Sequence, residues 1–265
     1  MFGPALLFCP ADRPERYDKA AAASDAVIID LEDAVSLGAK ASARAALAAS
    51  DLDPARTIVR INPRATGLQE ADLAALRQTD YRTLMLPKAE TEADLSDLDE
   101  FGVIALCESP LGVRNADVLA SMDSVIALTW GAEDLVAGLG GSSSRFADGR
   151  YRSVALFARS RVLLAAAGAG KAAFDTVHLD LADELGLRAE AEDAAASGFA
   201  GAMCIHPQQV PIIRSAFEPS ADDVRWAVAV LAAAADSVNG VFSYEGRMVD
   251  EPVFRQARRI IDRSN

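Results

Sequence analysis

Acidic and basic residues stand with unusual regularity at the carboxyl ends of short apolar runs. The segments are Cys9-Pro10-Ala11-Asp12-Arg13-Pro14-Glu15-Arg16, Asp30-Leu31-Glu32-Asp33, Arg60-Ile61-Asn62-Pro63, Pro87-Lys88-Ala89-Glu90, Glu108-Ser109, Trp130-Gly131-Ala132-Glu133-Asp134, Asp180 and His206-Pro207. A single carboxylate after a strand is ordinarily a helix N-cap. Charges at nearly every such end need another account, because converging charges stay ionised only when they are paired or bind a metal. Glu108 and Asp134 follow consecutive runs and can aim at one centre. Two oxygen ligands, with the other positions left to water and substrate, suit Mg²⁺. A second reading stays open at this level: Glu108 bridged to Arg60 or Lys88, and Asp134 capping the helix that begins there. Zinc is disfavoured, because the chain has only His178 and His206 and its three cysteines (Cys9, Cys107, Cys204) lack finger spacing. His206, before Pro207, reads as a hydrogen-bonded loop residue, and His178, inside an apolar run, reads as core.

Those ends need elements to hold them. Strands are predicted near Ala5–Cys9, Ala26–Asp30, Thr57–Ile61, Thr83–Leu86, Val103–Cys107, Val125–Leu128, Thr176–Leu179 and Ala202–Ile205. Short, continuously apolar runs of this kind are buried on both faces of a parallel sheet. Alanine-rich amphipathic stretches lie between them, at Lys40–Ala49, Gln69–Gln78, Glu92–Glu100, Ala155–Ala167 and Glu184–Ala196. Eight strands alternating with helices predict an α/β fold, a closed (β/α)₈ TIM barrel, with a doubly wound open sheet as the other arrangement. The 265-residue length agrees, since such a barrel takes roughly 250 residues. The barrel core is expected over residues 1–206, leaving 207–265 for a closing helix and a C-terminal helical extension or lid. In that tail Pro207–Ala216, Asp222–Ala235 and Glu251–Ile261 read as helices, with Ser220 as an N-cap and Gly240–Gly246 as a turn. A tail longer than barrel closure requires suggests a task of its own.

Composition narrows the partners. The formal charge of −13 repels phosphate backbones, so nucleic acid is not an expected partner. No apolar run is long enough to span a membrane, Met1-Phe2-Gly3-Pro4 lacks a basic leader, and the scattered cysteines suit a reducing cytoplasm. Arg13, Arg16 and Lys19 form a basic cluster in an acidic chain, placed either to pair with neighbouring acids or to hold phosphates at the barrel rim. Gly138-Leu139-Gly140-Gly141-Ser142-Ser143-Ser144 lacks the P-loop lysine and reads as a loop over the barrel mouth or an anion cradle.

Segments 7–16, 27–34, 59–62, 86–90, 130–135, 204–210 and 246–252 together resemble the citrate lyase β-subunit-like branch of the HpcH/HpaI aldolase superfamily. The Gly141–Arg145 stretch is most like the stand-alone type found in actinobacteria. The resemblance implies a Mg²⁺-dependent TIM barrel, commonly a homotrimer, that cleaves or forms short 3-hydroxyacyl-CoA thioesters (citramalyl, malyl or citryl). The products of cleavage would be acetyl-CoA and a 2-oxo acid. It assigns Glu108 and Asp134 to the metal and Arg60 to the substrate oxygens. Asp30 and Glu32, with Asp33, would orient Arg60 and metal-bound water, and Lys88 would belong to the same wall. Arg13, Arg16 and Lys19 would meet the CoA phosphates. Asp250, in Gly-Arg-Met-Val-Asp-x-Pro, would be the acid/base that completes a neighbouring subunit's site; on sequence alone, without the resemblance, the favoured reading is that it caps the helix containing Pro252.

Two other functions fit the chain less well. A class II pyruvate aldolase acting on free sugar acids would carry a histidine base where this chain has Asp30 and Glu32. A non-catalytic or β subunit of a citrate lyase complex would be encoded beside α and acyl-carrier γ subunits.

Overall fold

The computed structural model describes residues 2–236 and 241–264. Eight strands run β1 (Ala5–Pro10), β2 (Ala26–Asp30), β3 (Thr57–Arg60), β4 (Thr83–Leu86), β5 (Gly102–Cys107), β6 (Val125–Trp130), β7 (Ala172–Asp175) and β8 (Gly201–Cys204). All pair in parallel with their sequence neighbours, and β8 returns to β1, so the sheet is a closed barrel. Helices α1 (Tyr17–Ala23), α2 (Lys40–Ala48), α3 (Gln69–Leu76), α4 (Pro110–Arg114), α5 (Ala116–Ser121), α6 (Ala132–Gly138), α7 (Ser153–Gly168) and α8 (Glu184–Ser197) lie between strands. After β8 come α9 (Gln209–Phe217), α10 (Ala221–Asp236), the hairpin β9 (Phe242–Tyr244) and β10 (Arg247–Val249), and α11 (Glu251–Ser264).

Strand periodicity explains what reaches the barrel mouth. Leu6, Ala26, Ile28, Ile58, Met85, Ile104, Leu106, Ala127, Phe174 and Met203 pack together as the barrel interior. Successive inward positions are two residues apart. The same alternation therefore carries Asp30 above Ile28, Arg60 above Ile58 and Glu108 above Leu106. Register completes the placement, for Asp30 on β2 pairs directly with Arg60 on β3.

The chain divides into two compact units, Met1–Arg214 and Ser215–Asn265. In the second, α10 and α11 bury Ala227, Val230, Val249, Phe254 and Ala257, and the Phe242 ring stands 5.8 Å from that of Phe254. Ser220 caps α10, accepting from the Asp223 amide while Asp223 Oδ2 accepts from the Ser220 amide.

Two elements differ from expectation. The seventh strand is Ala172–Asp175, not Thr176–Leu179. Ala172-Ala173 continue the composition of α7 and so hide the strand, while the Thr176 amide turns back onto Asp175 Oδ1 and ends it. Glu92–Glu100 is not a helix; only the turn Glu92–Asp94 forms, under a Thr91/Asp94 capping box. Leu98 and Phe101 then donate three residues back, to Leu95 and Leu98, which buries Leu95, Leu98 and Phe101 through tight turns. Of the predicted Gly240–Gly246 turn, Gly240 lies outside the described residues, and the remainder is the β9–β10 hairpin, turning at Glu245 and Gly246 with φ of 49° and 77°.

Candidate active site

At the carboxyl ends of β2 to β6 one charged cluster forms. Asp30 is almost wholly buried; it accepts both Arg60 Nε (2.8 Å) and Nη2 (2.6 Å), together with the Glu32 and Ala34 amides. This bidentate pair fixes the plane of the guanidinium. Arg60 Nη1 lies 3.0 Å from Glu32 Oε2, and its Cζ lies 4.8 Å from the Phe8 ring centroid. Glu32 Oε1 accepts Lys88 Nζ at 2.7 Å. The same ammonium is 3.6 Å from Asp134, 3.8 Å from Glu108 and 3.9 Å from Asp33. Asp30, Glu32, Arg60, Lys88, Glu108 and Asp134 are thus brought together from five consecutive strand ends.

Glu108 is the distinctive group among them. Burial, reinforced by the Asp134 carboxylate, pushes its pKa from 4.5 up to about 8. Burial also raises Glu32, against the pull of Arg60 and Lys88. For Lys88 burial works downward, but the bond to Glu32 and the Glu108 carboxylate outweigh it and hold the ammonium above its usual range. Gly131 makes room for Glu108: a Cβ there would stand 2.7 Å from Glu108 Oε2, closer than side chains approach. Lys88 adopts φ 53°, a left-handed conformation in which its amide donates to Glu108 Oε1 at 3.1 Å. Asp134, in the first turn of α6, is nearly half exposed and turns its carboxylate to the mouth.

A cavity of about 470 Å³ opens above this cluster, lined on the charged side by Asp30, Arg60, Glu108 and Asp134. Its far wall is largely apolar and includes Trp130, Tyr151, Val177, Leu179, Met203 and Ile205. Two charge networks prop that wall from behind. Trp130 Nε1 donates to Asp175 Oδ1 (2.6 Å), and Arg159 holds Asp175 while also reaching Asp193. The Tyr151 ring meets Trp130 edge-on at 5.4 Å, and the Arg145 guanidinium stacks on Tyr151 at 3.6 Å while pairing with Glu190. Glu190 also takes His178 Nδ1 at 2.9 Å. His178 is buried as expected, but in the loop after β7 rather than in a strand.

The remaining sequence-selected residues lie elsewhere. Arg13, Arg16 and Lys19 are exposed, the arginines loosely paired with Asp12 (3.8 Å) and Glu15 (3.9 Å). His206 is a loop residue whose Nδ1 accepts the Gln208 amide. In the Gly/Ser stretch the Gly140 and Gly141 amides go to the carbonyls of Ala137 and Val136, and Ser144 Oγ donates to Glu133. Asp250 belongs to the second unit, directly before α11, where its carbonyl accepts the Phe254 amide.

Sequence reasoning missed two supports. Lys40 is buried and donates to the carbonyls of Leu31 and Glu32 and to Asn62 Oδ1, locking the loop that carries Glu32. Asn62 in turn is held by Asp72, which Arg44 pairs at 2.6 Å. A lone lysine opening an alanine-rich helix was the available signal for Lys40. The Arg145–Glu190–His178 network left no signal, since its members are 45 and 12 residues apart.

The sequence matches two family models. Residues 5–207 match the HpcH/HpaI aldolase/citrate lyase model, and residues 152–265 match a model described as a C–C bond lyase of the TIM-barrel fold. The chain belongs to the HpcH/HpaI aldolase/citrate lyase family. Membership of that family makes it a carbon–carbon lyase. A citrate lyase subunit beta-like protein of Mycobacterium tuberculosis is 53% identical over 262 residues, covering 99% of this chain and 96% of the relative. A mitochondrial citramalyl-CoA lyase of Rattus norvegicus is 29% identical, covering 97% of this chain and 84% of the relative. Among solved structures, CitE of M. tuberculosis in complex with magnesium, acetoacetate and coenzyme A superposes with a TM-score of 0.95 at 52% identity, covering 99% of this chain and 98% of that one.

Proposed function

We propose that this family member is a Mg²⁺-dependent lyase and synthase of short 3-hydroxyacyl-CoA thioesters, with citramalyl-CoA as the leading substrate, giving acetyl-CoA and a 2-oxo acid. The observation that carries this reading is the pair Glu108 and Asp134 beside a cavity lined by Arg60. Among the described residues no group of three or more histidine, cysteine or acidic side chains is arranged to hold a metal unaided. Two carboxylates, one of them buried with its pKa pushed up beside the other, fit an ion that draws its remaining ligands from water and substrate. When bound, Mg²⁺ supplies a Lewis acid for the carboxylate and carbonyl oxygens of the oxo acid.

The chain's own groups do the rest. Arg60, held in one plane by Asp30 and Glu32, donates to the oxygen that bears negative charge as the C–C bond breaks. In synthesis Asp250 removes a proton from the acetyl methyl carbon, and the alkoxide formed from the oxo acid's carbonyl takes one from solvent. In cleavage the 3-hydroxyl gives its proton to solvent as it becomes the carbonyl, and protonated Asp250 delivers its proton to the released acetyl carbon. Asp250 is offered to a neighbouring subunit of a homotrimer, which accounts for a C-terminal unit with its own core. The apolar wall of Trp130, Val177, Leu179, Met203 and Ile205 excludes water and suits a methyl substituent. Every cation lining the cavity is already engaged by an acid, which disfavours a further carboxylate on the oxo acid. Arg13, Arg16 and Lys19 meet the CoA phosphates. Three buried, unpaired cysteines suit a reducing cytoplasm, and no helix among the described residues is long and apolar enough to cross a membrane.

The test is a thioester panel (citramalyl-, malyl- and citryl-CoA) incubated with Mg²⁺ and read by product mass spectrometry. Acetyl-CoA with pyruvate as the fastest product pair supports the reading. Absence of C–C cleavage from every thioester would sink it.

A further inference from the structure

We propose that the Lys88 ammonium is a built-in counter-ion for Glu108 and Asp134, holding the two carboxylates together without metal and weakening the metal's hold when it arrives. This rests on the divalent-ion reading of those two residues given above. Lys88 Nζ hydrogen-bonds Glu32 at 2.7 Å, whereas Asp134 and Glu108, at 3.6 and 3.8 Å, attract it through charge without a short hydrogen bond. Lys88 is therefore tethered by Glu32, not by the metal carboxylates. Glu32 is itself buried, its other oxygen lies 3.0 Å from Arg60, and Lys40 holds its carbonyl. The backbone of Lys88 is fixed as well: φ of 53° directs its amide to Glu108 Oε1. One residue thus supports Glu108 through its amide while its ammonium opposes a second cation at the same carboxylates. Like charges a few ångströms apart in a partly buried site repel strongly. A divalent ion must enter against that repulsion unless Lys88 gives up the Glu32 bond.

The consequence is an affinity set deliberately low. Substrate oxygens that complete the metal's coordination would then supply the missing binding strength, so metal and oxo acid are held best together. Uncharged replacements at Lys88 should separate metal affinity from this dependence.

The experiment measures Mn²⁺ binding to the full-length protein, by electron paramagnetic resonance of the free ion at constant pH. Wild type is compared with Lys88→Met, Lys88→Gln, Lys88→Arg and Glu108→Gln. Removal of the charge should tighten Mn²⁺ binding about tenfold or more, since a close unit charge acts at low effective dielectric. Lys88→Arg, which keeps the charge, should stay near wild type. Thermal melting gives a second readout: Lys88→Met should melt lower than wild type without metal and gain more on adding Mn²⁺. Binding by both neutral variants that equals or falls below wild type would overturn the counter-ion role while leaving the metal site standing. If wild type and Glu108→Gln bind Mn²⁺ alike, the metal reading itself fails and takes this inference with it.

Discussion

The two sides of the barrel mouth handle charge in opposite ways. From β2 round to the first turn of α6 the charged groups cluster at the cavity, and acids outnumber bases: Asp30, Glu32, Asp33, Glu108 and Asp134 share Arg60 and Lys88. On the opposite side Asp175 and Glu190 are neutralised by Arg159 and Arg145, so that Trp130 and Tyr151 can face the cavity. The excess negative charge on the first side leaves an electrostatic demand that a cation would meet. The balanced pairs on the second side create rigidity without reactivity. A buried, fully matched ion pair positions its neighbours, whereas an unmatched carboxylate is poised to bind or to move a proton.

The largest effects should come from breaking the charged side. Arg60→Ala should lower kcat by about 10³ in thioester cleavage, the scale expected when a preorganised donor to developing charge is lost. Asp250→Asn should lose C–C cleavage as completely while still binding oxo acid. Mixing the two inactive proteins should restore part of the activity, because some sites would combine an intact barrel with an intact tail. Mixed oligomers without recovered activity would contradict the shared site.

The apolar wall should fail in a different way. Asp175→Ala would leave the Trp130 indole N–H unpaired and take one of two carboxylates from Arg159, and should cost about 3 kcal/mol of stability, as when one partner of a buried pair is removed. Chemical denaturation measures this loss. The refolded enzyme should show a raised KM with a smaller change in kcat, which separates wall from cluster.

A pH experiment sharpens the contrast. Glu108 has its folded-state pKa raised from 4.5 to about 8. Between those values the folded protein holds a proton that the unfolded chain has released, so metal-free stability should fall as pH rises through this window. Metal affinity should rise over the upper part of it, because the ion displaces that proton, and level off above about pH 8. Melting temperature against pH, with and without Mg²⁺, reads both slopes. Identical slopes would place the titration elsewhere.

How much of this was legible beforehand differs between the two sides. The charged side could be read from sequence because its residues follow apolar runs directly, and strand alternation delivers them to one place. Asp30, Arg60 and Glu108 needed only a period of two. The apolar wall could not, because its order comes from contacts such as Arg145–Glu190 and Trp130–Asp175, which join residues 45 apart in both cases. The seventh strand was misplaced on that same side, since Ala172-Ala173 carry no β signature and the more apolar Thr176–Leu179 follow them. Glu92–Glu100 misled for a local reason: its helical composition is cut short by tight turns that bury Leu95, Leu98 and Phe101.

The smallest effect is expected at the rim. Replacing Arg13, Arg16 and Lys19 together by serine should raise KM for the thioester about five- to tenfold, as for a few exposed ionic contacts. In the synthesis direction KM for the oxo acid should barely change. Equal rises for both substrates would mean that the cluster serves only the surface charge.

If the unmatched carboxylates of the charged side hold the divalent ion that C–C cleavage requires, activity must follow the metal through Glu108. Cleavage of citramalyl-CoA is followed for wild type and Glu108→Gln, each stripped by chelator and then titrated with Mg²⁺. Wild type should lose activity with chelator and regain it with Mg²⁺. Glu108→Gln, folded as judged by circular dichroism, should stay inactive at every Mg²⁺ concentration. Wild-type turnover by Glu108→Gln with chelator present would contradict it.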